Sequence, residues 1–318
     1  MLHRDGSPSF CGVSAEREPT MRVTLIHNPA AGGAGSLSSS DLEAALILAG
    51  FNAQHRPTES VEDLPEALED PGDLVVVAGG DGTIRAVASH LAERGVPMAV
   101  VPLGTANNIA AALGVRGNPR EVVEGLAQPE RRRFDLVEIS GSWGRDFCLE
   151  AAGVGLFAAT MSTYDPEAGK SPLRALTATI QTLASYQPCE VRVQLDGTTL
   201  EGPFLLVEAM NTPAMGPRVR LAPDADPGDG WLDVVLINPE QGVGFGAYLR
   251  GLLQEKLDEL PNVTVERCRT LTLEWEGCPF HLDAELRSPP DGGRERVKLE
   301  LKPGALEVWV PSAVAQPA

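Results

Sequence analysis

Five consecutive residues, Gly79-Gly80-Asp81-Gly82-Thr83, carry the most specific chemistry in the chain. Successive glycines let backbone N–H groups approach phosphate oxygens without Cβ interference, and a helix starting after them adds the positive end of its dipole. Asp81 is foreign to a purely anion-binding turn, because its carboxylate repels bare phosphate. It can hold a magnesium ion against a nucleotide's phosphates, or it can cap a helix beginning at Thr83; the turn alone does not separate the two. A second polar turn, Pro102-Leu103-Gly104-Thr105-Ala106-Asn107-Asn108, follows the next strand, and a third, Asn28-Pro29-Ala30-Ala31-Gly32-Gly33, ends the first one. Far downstream, Asp283 and Glu285 stand two apart in His281-Leu282-Asp283-Ala284-Glu285-Leu286. Phosphoryl transfer to an alcohol needs such a carboxylate to take the hydroxyl proton, and in an alternating strand both side chains share a face. Two solvated carboxylates on a sheet's outer face are the competing reading. There is no GxxxxGK[ST] loop and no GxGxxG after the first strand, which excludes the common P-loop and the dinucleotide fingerprint.

These turns need strands to carry them, and the pattern supplies them. Residues 22–27 (RVTLIH) read as a strand; Asp41 caps a helix with Leu42, Ala45, Leu46 and Ala49 on one face and Gly50 at its end; 51–56 and 61–68 read as a strand and a short helix. The apolar run 74–78 suits a strand buried on both faces of a parallel sheet. A helix with Ile84, Val87, Ala88 and Leu91 on its buried side follows, then a strand at 97–101 and a helix from Ile109 to Leu113. Strands alternating with helices over 21–133 imply a doubly wound α/β domain, whose ligands sit beyond the carboxyl ends of its strands.

From 134 the rhythm changes to short runs at 134–140, 145–151, 190–195, 202–211, 231–237, 264–275, 280–286 and 296–301. That spacing predicts an antiparallel β-sandwich over 134–302, interrupted by helical segments at 172–186 and 243–257. The run 306–310, within 303–312, is expected to return to the first domain and hold the two halves of an interdomain cleft together. Residues 1–20 read as a disordered extension, with Met21 as an alternative start, and 313–318 as a tail.

The 318 residues, 43% hydrophobic, suffice for two domains. A net charge of -18 argues against general affinity for nucleic acid. The compact basic run Arg131-Arg132-Arg133 is a solvated surface before it is a membrane patch. Cys11, Cys148, Cys189, Cys268 and Cys278 contain no CxxC pair and are odd in number, which predicts reduced thiols in a cytoplasmic protein. No apolar run reaches the ~18 residues of a membrane span, so any membrane contact is expected to be peripheral, at the inner face.

HNPAAGG (27–33), GGDGT (79–83) and PLGTANN (102–108), followed by FCLEAAGVGLFAA (147–159), LAPDADPGDGWLDVVLI (221–237) and HLDAEL (281–286), together resemble the diacylglycerol kinase catalytic fold, in the form of the bacterial soluble lipid kinases related to sphingosine and ceramide kinases. The resemblance covers about 22–311. It implies transfer of the γ-phosphoryl group of ATP to the hydroxyl of diacylglycerol or a related lipid presented at a membrane, with Mg2+ as cofactor. It carries ATP binding over to Asn28, Pro29, Ala30, Ala31, Gly32, Thr58, Gly79, Gly80, Asp81, Gly82, Thr83 and Thr105, and proton acceptance to Glu285 beside Asp283, with Asp81 organising metal and phosphates. It also places a structural magnesium site on Asp226, Asp229 and the Trp231 carbonyl. Two departures stand out: Ala284 replaces a glycine between the carboxylates, and Phe157 stands where the family carries an aspartate. An NAD kinase-like activity, which shares GGDGT, and a nucleotide- or lipid-binding protein without catalysis are the rivals; self-association as a homodimer is left open.

Overall fold

The computed structural model describes residues 20–31, 37–163, 186–239, 243, 245–287 and 293–312; the expectations for 1–19, 172–185 and 313–318 lie outside them. The first strand, β1 (Arg22–His27), leads to α1 (Ser39–Leu48). Ser38, not Asp41, is the cap of α1: its hydroxyl accepts from the Asp41 amide at 3.1 Å, and the Asp41 carboxylate accepts from the Ser38 amide at 3.1 Å. The Ser-x-x-Asp spacing is a capping box, which puts the acid in the first turn, where the helix dipole favours it. After β2 (Asn52–His55) and α2 (Leu64–Ala67) comes β3 (Leu74–Gly79), buried at all six positions. The next helix, α3 (Asp81–Leu91), buries the expected Ile84, Val87, Ala88 and Leu91 against it. β4 (Met98–Pro102) is followed by α4 (Asn108–Ala112) and by α5 (Pro119–Gly125), which the apolar pattern did not announce. Asn118 caps α5 and Pro119 opens it, where a missing N–H costs nothing.

The second half holds β5 (Pro129–Gly141), β6 (Gly144–Cys148), β7 (Ala151–Gly155), α6 (Leu156–Thr163), β8 (Cys189–Leu195), β9 (Thr198–Phe204), β10 (Leu206–Met210), β11 (Ala214–Met215), β12 (Val219–Arg220) and β13 (Leu232–Ile237). It continues with α7 (Phe245–Gln254), β14 (Val263–Cys268), β15 (Thr270–Glu276), β16 (Phe280–Leu282), β17 (Glu285–Arg287) and β18 (Arg294–Pro311).

The parallel strands lie in the order β2-β1-β3-β4, and the sheet continues through β18 into β15, β8 and β9, with β5 and β6 on the far edge of β18. β18 runs antiparallel to β15 in its first half and parallel to β4 at Val308 and Trp309, while β5 follows it from 298 to 311. A six-stranded sheet, β14-β13-β10-β7-β16-β17, faces the antiparallel part. Trp275, Phe280, Val297, Leu299 and Val207 fill the space between the two sheets, whereas Leu25, Val76, Ile84 and Trp309 belong to the core of the α/β half. The mixed α/β sheet followed by an antiparallel β domain is the architecture the sequence pattern predicts.

Two apolar runs that read as single strands are corners between sheets. Run 202–211 breaks at Leu205 into β9 of one sheet and β10 of the other, and run 264–275 breaks at Arg269 into β14 and β15. Side-chain alternation continues through such a bend, so periodicity does not reveal it. The cysteines also depart from expectation: Cys189 is joined to Cys278, while Cys148 and Cys268 are free and buried. No spacing signal connects residues 89 apart; the pairing of Val191 with Trp275 brings them side by side. Among the described residues no helix is long and apolar enough to cross a membrane.

Candidate active site

The strand order reverses between β1 and β3, and the polar turns meet beyond that point. Asn28, the residue after β1, donates from its backbone to Ala78 O at 2.9 Å and from its side chain to Thr83 Oγ1 at 2.9 Å, tying the first turn to α3. The amides of Ala30 and Ala31 are bonded to Asn28 itself, so Asn28 shapes this turn. Pro29 lies within it, and Gly32 lies outside the described residues. Thr58 is half-buried in the loop after β2, and among the described residues no hydrogen bond joins it to the other turns.

The turn after β3 is an open cradle. The first bond of α3 is Ile84 N to Gly80 O at 3.0 Å, which leaves the amides of Asp81, Gly82 and Thr83 ahead of it without helical acceptors. A Cβ added at Gly82 would meet nothing within 4 Å, whereas one at Gly79 would lie 2.8 Å from Thr83 Cβ. The turn after β4 presses on it backbone to backbone: a Cβ on Gly104 would sit 2.7 Å from Gly80 Cα. Asn107, at φ 53, braces that turn by accepting from Gly104 N and donating to Gly104 O, both at 2.8 Å, and leaves Thr105 exposed.

Asp81 is the first residue of α3 and does not cap its own helix. Its Oδ1 accepts from Ile109 N at 3.1 Å, so the carboxylate sits on the N-terminus of α4 instead. Burial pushes the Asp81 carboxyl up, the amides of Ile109, Asn108 and Asn107 pull it back, and the charge of Asp283 adds to the rise. Glu150, buried beside it, is pushed well above the ordinary carboxylate value by burial first and then by Asp81 and Asp283. Asn108 donates to Glu150 Oε2 at 2.7 Å and to Gly216 O at 2.9 Å, which links α4 to the second half. A nucleotide-borne magnesium ion fits this setting, because a cation would offset crowded buried carboxylates.

Asp283 and Glu285 are not neighbours on one strand. Leu282 pairs with Glu285 across a hairpin whose two turn residues are Asp283 and Ala284. The positive φ, 48°, falls on Asp283, so Ala284 needs no glycine. Asp283 Oδ1 accepts from Glu150 N at 2.8 Å, Ala151 N at 3.1 Å and Cys148 Sγ at 3.0 Å, and Oδ2 accepts from Leu149 N at 3.1 Å. Burial, then the Asp283 charge, pushes the Cys148 thiol well up, which keeps its sulfur a donor. With its side chain 5% exposed, Asp283 organises the hairpin and cannot approach a substrate; Glu285, 48% exposed, can.

Arg85 connects the two halves. It lies one helical turn after Asp81, and Nη1 donates to Glu285 Oε1 at 2.6 Å, Nη2 to Asp146 Oδ2 at 2.9 Å, and Nε to Phe147 O at 3.0 Å, with Asp283 Oδ2 at 3.3 Å from Nε. Arg287 adds a second guanidinium, to Asp146 and Glu285. Sequence reasoning missed Arg85, Arg287 and Asp146, since a lone charge in a helix or strand reads as solvated. Under the hairpin, His281 meets Glu208 Oε1 at 2.7 Å and the Asp283 carbonyl at 2.9 Å. Burial disfavours the imidazolium, but the charge and hydrogen bond of Glu208, together with the carbonyl and charge of Asp283, outweigh it and raise His281 above its ordinary value. Phe157 fills the position of the expected aspartate with an edge-on ring 4.9 Å from His281.

In the loop carrying Asp226, Asp229 and Trp231, both carboxylates are tied into the turn itself. Asp226 accepts from Gly228 N at 2.9 Å, Asp229 accepts from Trp231 N at 3.0 Å and ion-pairs with Arg267, and Arg269 donates to Gly230 O at 3.3 Å. Arg269 also lies 4.6 Å from the Trp231 ring centre. Among the described residues no group of three or more His, Cys, Asp or Glu is placed to hold a metal. Asp135, 1% exposed, anchors this loop to β18 by accepting from Gly230 N at 2.8 Å and Gly304 N at 2.6 Å.

The chain as a whole is similar to known proteins. Residues 22–139 match the diacylglycerol kinase catalytic domain, and residues 152–310 match the YegS C-terminal NAD kinase beta sandwich-like domain. Diacylglycerol kinase of Bacillus subtilis (strain 168) is 30% identical over 237 residues, 68% of this chain and 73% of its own length. The protein named "Probable lipid kinase YegS-like" of Stenotrophomonas maltophilia (strain K279a) is 28% identical over 266 residues, covering 78% and 82% of the two chains. A diacylglycerol kinase structure from Bacillus anthracis str. Sterne superposes with a TM-score of 0.68 at 20% identity, over 94% of this chain and 100% of that one, which speaks for the fold. With the strand-end turns of the catalytic half joined through Arg85 to the hairpin of a YegS-type second half, the chain belongs to the diacylglycerol kinase family.

Proposed function

We propose that the chain transfers the γ-phosphoryl group of ATP to the hydroxyl of diacylglycerol or a related lipid alcohol. The observation that supports this most is the contact between Arg85, on the helix that starts in the phosphate-type turn, and Glu285, 200 residues further on. In this reading it links a candidate base to the helix of a candidate nucleotide site.

In this reading the phosphates lie on the amides of Asp81, Gly82 and Thr83, where Gly82 leaves room, with Asn28 and the Gly104-Thr105 turn as the flanking walls. Asp81 is the residue that would hold the nucleotide's Mg2+, whose chemistry there is charge neutralisation on the phosphates. Glu285 accepts the proton of the lipid hydroxyl as that oxygen bonds to the γ-phosphorus and the bond to ADP breaks. Asp283 fixes the hairpin that carries Glu285. The lipid is met at a membrane through peripheral contact, and the enzyme works in the cytoplasm.

Purified protein is incubated with labelled ATP, Mg2+ and a panel of diacylglycerol, sphingoid and other lipid alcohols, with NAD as a control acceptor. A labelled lipid is the expected product. Asp81→Asn keeps a carbonyl oxygen for Ile109 N but loses the charge, and is expected to cost about 10²-fold in kcat with little change in melting temperature. Equal activity of wild type and Asp81→Asn sinks the site assignment, and label on NAD alone sinks the substrate class.

A further inference from the structure

We infer that Arg85 is a positioning residue that sets Glu285 for proton acceptance from the nucleotide-binding helix, so that the placement of the base follows the placement of the GGDGT turn. The inference rests on the kinase reading. Its basis is geometric. Arg85 and Asp81 are four residues apart on α3 and therefore share a face of one rigid helix. The Arg85 side chain is 11% exposed and contacts elements from three places in the second half: Asp146 and Phe147 on β6, Asp283 in the hairpin turn, and Glu285 on β17. A planar fork reaches these oxygens together; an ammonium cannot. Glu285 itself is half-exposed and held at Oε1 by Arg85 and at Oε2 by Arg287. Among the described residues it has these two holders, and only Arg85 comes from the nucleotide half. Its charge also faces Asp146 and Asp283, so its position is fixed from more than one side.

The test is a double-mutant cycle between Arg85 and Glu285 in the full chain, with kcat and the KM for ATP measured on the lipid that wild type phosphorylates. Arg85→Ala is expected to lower kcat about 10²-fold, the scale of a misplaced group, while the KM for ATP stays within about threefold. In a Glu285→Gln background the same change is expected to cost nothing further, because Arg85 acts through Glu285. Added guanidinium ion is expected to restore part of kcat in Arg85→Ala but not in Arg85→Ala/Glu285→Gln, which a purely structural role would not produce. If Arg85→Ala fails to fold, since it strips a buried counterion from Asp283, Arg85→Lys keeps the charge, loses the fork and serves in the same cycle. Multiplicative losses, or an effect confined to the KM for ATP, overturn the inference while leaving the kinase reading intact. A wild type inactive on every lipid removes the kinase reading and the inference with it.

Discussion

Burial and its acidic neighbours make Glu150 harder to ionise in the folded chain than in the unfolded one. Its folded value lies well above the ordinary 4.5 through burial and the charges of Asp81 and Asp283, so the folded state binds more protons than the unfolded one between those two values. The stability this contributes is complete below the unfolded value and is lost as pH rises through the folded one. Glu150→Gln keeps an acceptor for Asn108 Nδ2 and removes the titration. Thermal melts are expected to show the variant and wild type alike near pH 5 and the variant more stable near pH 8; a wild type more stable than Glu150→Gln at pH 8 contradicts the reading. The same residues show what a sequence can reveal. Asp81 was legible as chemistry, because an aspartate among glycines has few uses. Its actual hydrogen-bond partner, the amide of Ile109, was not, because capping a neighbouring helix leaves no local signature. Arg85 gave no signal at all: its three carboxylate partners lie 61, 198 and 200 residues away, at Asp146, Asp283 and Glu285.

At the scale of elements, the two glycine turns make opposite demands. Gly82 lies in the first turn of α3 with open space where its Cβ would be. Alanine there favours the helix by about 0.5–1 kcal/mol but intrudes on the side a phosphate would approach. Gly82→Ala is therefore expected to melt no lower than wild type and yet to raise the KM for ATP about tenfold. Gly104 faces Gly80 Cα instead, and Gly104→Ala is expected to cost about 1–3 kcal/mol of stability as the two turns are forced apart. Thermal melts paired with ATP kinetics separate the cases; a destabilised Gly82→Ala or an unaffected Gly104→Ala contradicts the packing described. Helices and strands with long apolar faces, such as α3 and β3, were readable from their period. The hairpin at Asp283-Ala284 was not, because the pattern continues through a two-residue turn and reads as one strand.

At the scale of the molecule, β18 is shared by both halves. β15 covers one edge of its first part, β4 covers the same edge of its last part, and β5 runs along the other. Trp275 lies in the sandwich core and Trp309 in the α/β core, so each reports a different half. In single-tryptophan variants retaining one or the other, urea unfolding is expected to give coincident transitions, as one cooperative unit requires; two separated midpoints contradict that unity. The sequence pointed to the return of 306–310 but not to the strand's continuity, since the turn-forming residues Pro303 and Gly304 interrupt its pattern and only a register shift between Lys302 and Leu306 carries the pairing through.

The shared strand also sets an order of events during synthesis. β4 finds its parallel partner at Val308 and Trp309, about 210 residues after Met98. At the ribosome's pace of about 5–20 residues per second, that edge of the nucleotide half stays unpaired for on the order of 10–40 s. An unpaired, fully apolar strand edge is the kind that recruits other chains. Until β18 has emerged, β4 is an edge of the nucleotide half open to a chaperone.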